Sequence, residues 1–186
     1  MQGGETVAEI LFEATIETVR SHPVIQIPEG ADNKLPSRGM VMINGTINGI
    51  YFEAELEPDG HGSHWFEPDD SLLQKLSIQP EDPLSFIVKP MKIWPAPKVP
   101  EDLQKALITS NLTNVFNRLT PRAQWEWIRW IRFTNNPKTR TRRIEVTCSK
   151  LTDGKKRPCC FDLSRCTDMT VCKSGMLMRH SNDSRL

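Results

Sequence analysis

Apolar and polar residues alternate from Glu9 to Val19 for most of the run, with Ile10, Phe12, Ala14 and Ile16 on one side and Glu9, Glu13, Thr15 and Glu17 on the other. A period of two is that of a strand with one buried face. Val24 to Ile27 predicts a second short strand closed by Pro28, and Gly30 to Gly39, crowded with Asp, Asn, Pro, Ser and Gly, predicts a loop. Met40 to Ile47 and Ile50 to Leu56 alternate again and are joined by Asn48-Gly49, the dipeptide that supplies the positive φ angles of a type I′ hairpin turn. Gly45, inside the first arm, predicts a bulge that bends the sheet. Ser63 to Phe66 and Leu84 to Lys89 read as further strands. Pro68-Asp69-Asp70 opens a helix reaching about Leu76, its acids suiting the helix dipole and Leu72, Leu73 and Leu76 sharing a face. Several short strands with one helix fit a small, strongly bent β-barrel.

Four prolines between residues 90 and 100 interrupt regular structure, and beyond them the period changes from two to 3.6. Leu103, Ala106 and Leu107 begin one helix, and Val115, Phe116 and Leu119 a second. Thr120 is an N-cap and Pro121 a tolerated first helical residue, opening a helix in which Trp127, Trp130, Ile131 and Thr134 share a face. Asn135-Asn136-Pro137 ends it. The next runs from Thr139 to about Leu151, with Ile144, Cys148 and Leu151 inward and Asp153-Gly154 as its stop. The predicted class is α+β, a small barrel followed by a small helical bundle. The predicted division is a barrel over residues 6–90, a proline-rich linker over 91–99, a helical domain over 100–157 and a cysteine-containing tail over 158–186.

Composition adds class and setting. Of 186 residues, 38% are hydrophobic and 25% charged, which is the composition of a globular protein. No apolar run approaches the length of a bilayer crossing, and no apolar stretch follows a basic start near Met1, so a cytoplasmic location is expected. The net charge of +1 hides a split: residues 1–98 carry 7 basic against 15 acidic side chains, and residues 99–186 carry 17 against 8. Such asymmetry points to two bodies that attract one another or to a basic half with an anionic partner. The first 147 residues lack cysteine, so bridges do not hold the core; the cysteines, four of them within residues 159–172, are expected to be reduced.

Lys138, Arg140, Arg142 and Arg143 with Lys155, Lys156 and Arg157 form the leading candidate for binding. Arg140 and Arg143, three apart on a helix, could together grip phosphate or carboxylate. Docking on the acidic half, or plain solvation, is the competing reading and the heavier one. Trp125, interleaved with Arg129, could stack on a base or a cation, whereas Trp127 and Trp130 read as core. Cys159, Cys160, Cys166 and Cys172 are weak candidates for zinc, because an adjacent pair followed by gaps of five residues departs from the usual paired spacing; a redox role is a further minor reading. His61, His64 and Glu67 imitate a metal triad, but residues three apart in an extended chain face opposite sides. No nucleophile elbow, phosphate loop, dinucleotide fingerprint or zinc-protease helix is present, so no catalytic residues and no cofactor are expected.

The run SRGMVMINGTINGIYFEAELEPDGHGSH, Ser37 to His64, resembles the bacterial family called domain of unknown function 1905. PEDLQKAL from Pro100, FNRLTP from Phe116, WIRWI from Trp127 and TRTRRIE from Thr139, ahead of GKKRP, resemble the YdeI or OmpD-associated family, also described as bacteriocin-protection proteins. The resemblance spans roughly residues 8–160. It implies a double-split β-barrel similar in fold to the AbrB and MazE group, followed by a helical domain, and it brings no catalytic residues. The expected function is a non-enzymatic bacterial interaction module in stress or antimicrobial-peptide resistance, with an acidic protein or other anionic partner. A nucleic-acid-binding protein using the basic helix, and an enzyme with a site in the Gly60 to His64 loop, are the alternatives.

Overall fold

The structure is a computed structural model that describes residues 8–77 and 82–178. Residues 6–7 and 78–81 of the predicted barrel and 179–186 of the predicted tail lie outside the described residues. Two compact units form, one from the described residues up to Lys92 together with 164–166 and 173–178, the other from 93–163 with 167–172.

The first unit is a sheet of seven strands: β1 (Ile10–Ala14), β2 (Glu17–Val19), β3 (His22–Gln26), β4 (Val41–Ile47), β5 (Ile50–Pro58), β6 (His64–Phe66) and β7 (Leu84–Pro90). Their order is β1-β7-β4-β5-β6-β3-β2, with antiparallel neighbours. The alternation from Glu9 to Val19, predicted as one strand, breaks at Thr15 and Ile16, and its halves become the two ends of the sheet. Two linking residues span at most about 10 Å, so the sheet must curl until its edges approach. The predicted inward residues fill the concave side, where Phe12 stacks on Phe86 at 4.5 Å between ring centroids and Phe52 and Phe66 pack edge-on against Phe86.

Asn48 and Gly49 take φ of 49° and 82° and leave Ile47 opposite Ile50, as the hairpin requires. Gly45 is not a bulge: it pairs in unbroken register with Phe52 on one side and Val88 on the other. A side chain there would place Cβ 2.0 Å from the Ile87 carbonyl oxygen, so the glycine serves close strand approach. The predicted loop from Gly30 contains one helical turn, α1 (Glu29–Asp32). In α2 (Asp70–Leu76) the Asp69 carboxylate accepts from Leu72 N at 2.7 Å and so caps the helix, a role beyond the dipole match read from its acidic start.

The second unit carries α3 (Glu101–Thr109), α4 (Thr113–Asn117), α5 (Pro121–Arg132) and α6 (Pro137–Thr152) around Leu103, Leu107, Phe116, Trp127, Ile131, Ile144 and Leu151. Thr120 caps α5 and Asn136 caps α6 through their side chains. Residues ahead of α3 lie on α5: Arg122 covers the Trp94 ring at 5.3 Å. Over its described residues the segment expected as a loose, reduced tail is partly docked, and two of its four cysteines are not reduced. Cys166, Thr167, Val171, Cys172 and Leu177 are buried, a short hairpin of β8 (Cys172–Lys173) and β9 (Met176–Leu177) forms, and Cys166 and Cys172 are disulfide-bonded. A cysteine-free core excludes bridges within the core only, and this linkage lies beyond it.

Candidate functional site

The Asp59 to His64 loop turns tightly because Asp59 accepts backbone hydrogen bonds from His61 N at 2.7 Å and Ser63 N at 2.9 Å. Its three imitation ligands diverge. His61 is exposed and its Nε2 lies 3.3 Å from the Leu177 carbonyl oxygen; Glu67 accepts from His22 Nδ1 at 2.9 Å. His64 points inward, with Nδ1 2.6 Å from Asp32 Oδ1 and Nε2 2.8 Å from the Gly39 carbonyl oxygen. Asp32 is itself buried, and its other oxygen accepts from Arg38, which also donates to Asn33 Oδ1 at 2.9 Å and to the Gly62 carbonyl at 3.0 Å. This polar knot is the feature that the sequence did not announce. Both ring nitrogens of His64 are occupied and its side chain is fully buried, so it can neither take a proton from a substrate nor hold a metal.

The same loop receives the C-terminal hairpin. Leu177 N donates to the Asp59 carbonyl at 2.7 Å, and Gly60, at φ 77°, lies so close to Gly175 that a Cβ would meet its carbonyl oxygen at 2.1 Å. At the break between β1 and β2 an open cleft of about 360 Å³ is lined by Thr15, Glu17, Gln26, Glu29 and Ser63 among others. It contains carboxylates without a histidine or a thiol.

The basic cluster divides into engaged and outward cations. Arg140 makes a two-pronged pair with Asp102, Nε to Oδ2 at 2.6 Å and a terminal nitrogen to Oδ1 at 2.9 Å. That hydrogen bond holds the Asp102 carboxyl below its ordinary value and the guanidinium above its own. Arg143 donates to the Trp130 and Phe133 carbonyl oxygens at 2.6 Å each and lies over both rings, and burial lowers its pKa. Arg157 reaches Glu126 at 3.4 Å. Lys138 and Arg142 lie one helical turn apart on the outward side of α6, and with Lys155 and Lys156 they are exposed. Trp125 is half-buried and donates to the Pro95 carbonyl at 3.2 Å, so its indole is spent on the chain that precedes α3.

Among α5 residues Arg129 is the one whose position the pattern hid. It is 1% exposed, donates to the Leu163 carbonyl oxygen at 3.3 Å and lies over the Phe161 ring at 5.6 Å. Trp127 Nε1 donates to the Lys156 carbonyl at 3.1 Å, and Arg132 Nε to Thr167 Oγ1 at 2.9 Å. The disulfide linkage of Cys166 and Cys172 removes the four-thiolate zinc set, leaving Cys148, Cys159 and Cys160 free. Among the described residues no three metal-binding side chains converge and no helix is long and apolar enough to cross a membrane.

With this geometry in hand, residues 12–88 match the family described as Domain of unknown function (DUF1905), and residues 96–154 match Bacteriocin-protection, YdeI or OmpD-Associated. No curated protein matches the chain.

Proposed function

We propose that this chain, in which a segment of the domain of unknown function 1905 precedes one of the YdeI or OmpD-associated family, is a non-catalytic module that presents the cations of its helical unit to an acidic protein surface. The observation that carries the reading is the exposed pair Lys138 and Arg142 on the outward side of α6, continued by exposed Lys155 and Lys156, while Arg140 and Arg143 are engaged inside the unit. Outward lysines and arginines cost little desolvation and steer an anionic partner at long range. The buried His64–Asp32 pair supports the non-catalytic half, because both ring nitrogens already face acceptors. The setting within this reading is protection against bacteriocins, which the second family's description names. Disulfide-bonded Cys166 and Cys172 suit an oxidising compartment and count against a cytoplasmic one.

The test uses immobilised polyglutamate, random-sequence duplex DNA and anionic phosphatidylglycerol vesicles as separate probes at low and high salt. Polyglutamate should retain the protein, retention should fall with salt as the Debye length shrinks from about 10 Å at 0.1 M to about 3 Å at 1 M, and Lys138→Glu with Arg142→Glu should abolish it. No retention on polyglutamate at low salt overturns the reading, and retention on DNA alone replaces it with nucleic-acid binding.

A further inference from the structure

We propose that Cys159 and Cys160 form a vicinal dithiol site that chelates one trivalent thiophilic centre of the arsenic or antimony class. Neighbouring side chains in an extended chain point to opposite sides. Here they do not: Cys160 takes φ 57°, the left-handed region that a non-glycine residue rarely enters, and the two sulfurs converge to 3.2 Å at an exposed turn. The turn is held on both sides by α5. Trp127 Nε1 fixes the Lys156 carbonyl ahead of it, and Arg129 fixes the Phe161 ring and the Leu163 carbonyl behind it. A chelating pair on an exposed turn is thus carried by buried anchors, which lowers the entropy lost on binding.

Two competing uses of the pair are disfavoured by distance. Consecutive Cα atoms across a trans peptide are about 3.8 Å apart; an unstrained disulfide needs about 4.4–6.8 Å. Oxidation of the pair to a disulfide is therefore resisted, and the thiols persist. At a metal–sulfur distance of about 2.3 Å, the 3.2 Å bite subtends about 90°. Tetrahedral zinc wants roughly 3.7 Å between sulfurs at the same bond length, and linear two-coordinate ions want more. A pyramidal centre whose lone pair compresses its bond angles fits the bite as it stands.

The binding step is a condensation. Two sulfur–arsenic bonds form, two arsenic–hydroxyl bonds break, each thiol proton leaves with a hydroxyl as water, and no oxidation state changes. The Cys160 thiol lies above its ordinary value chiefly through its hydrogen bond to Cys159.

Full-length protein is treated with one equivalent of phenylarsine oxide and its free thiols are counted in denaturant. Three free thiols should fall to one, Cys148. The arsenical should resist excess monothiol and leave on addition of a small dithiol, with loss to monothiol roughly a hundredfold slower than for Cys159→Ser or Cys160→Ser, since each variant keeps only one sulfur of the chelate. Cys148→Ser should behave like the parent protein, and circular dichroism checks that each variant folds. The proposal is overturned if Cys159→Ser retains the arsenical equally, if retention follows Cys148, if zinc alone protects both thiols as well, or if the untreated protein already titrates a single thiol.

Discussion

His64 Nδ1 and Asp32 Oδ1, thirty-two residues apart in the chain, meet at 2.6 Å with both side chains out of solvent. The other ring nitrogen meets the Gly39 carbonyl, so the ring faces an acceptor on each side. Asp32 serves two partners at once, one oxygen facing the ring and the other accepting from Arg38. The knot joins α1, the chain before β4 and the start of β6.

Replacing His64 with Phe should leave the Asp32 carboxylate buried beside a ring that donates nothing. A loss of about 1–3 kcal/mol is expected, the cost of leaving one buried carboxylate oxygen without its partner while Arg38 holds the other. Urea unfolding measures it, and a loss below about 1 kcal/mol would show that the pair behaves as a surface contact. Asp32→Asn, which keeps an acceptor for the ring, should cost less.

Gly60→Ala should drive a methyl group into the Gly175 carbonyl, at a backbone angle of 77° that a side chain resists. The hairpin that docks there through Leu177 N and the Asp59 carbonyl should release while the sheet persists. Limited proteolysis between residues 165 and 178 should accelerate relative to the parent, with α-helical signal unchanged. Unchanged cleavage would mean that the hairpin is held by other contacts.

Arg143→Ala should uncap α5, whose last carbonyls, at Trp130 and Phe133, each accept from this guanidinium at 2.6 Å. Charge-assisted hydrogen bonds and two ring contacts place the cost at about 2–3 kcal/mol. Lysine at the same position keeps the charge without the planar fork, so Arg143→Lys should recover part of the loss. Full recovery would mean that charge alone matters.

The sequence made some of this plain. Asn48-Gly49 announced its hairpin because few other dipeptides tolerate two positive φ angles, and Thr120-Pro121 announced α5 because cap and first-turn chemistry are local. The break at Thr15 and Ile16 was silent, since alternation continues through it and only pairing partners change. The His64 knot was silent too: its members are polar residues in apparent loops, and no local signal links them across thirty-two positions. Arg129 sits in an aromatic stripe where a charged residue normally marks the outward face, yet it is buried by chain that follows α6. That following segment has no periodicity because its burial comes from docking and disulfide linkage, neither of which has a period.

Asp102 and Arg140 supply the acid-side prediction. The Asp102 carboxyl is held below its ordinary value of 3.8 first by the Arg140 hydrogen bond, opposed by partial burial. A carboxyl with a depressed folded pKa stabilises the fold above its unfolded value and loses that contribution as pH falls through the lower, folded one. The contribution should therefore be whole above about pH 4 and decline below it. The Asp102 side chain is 45% exposed, so solvent and salt screen the pair and about 0.5–1 kcal/mol is the expected size. Asp102→Asn should lower the urea midpoint at pH 7 and narrow the gap from the parent as the pH approaches 2. Parallel curves for the two proteins across that range would show that the Asp102 carboxylate contributes nothing through its charge.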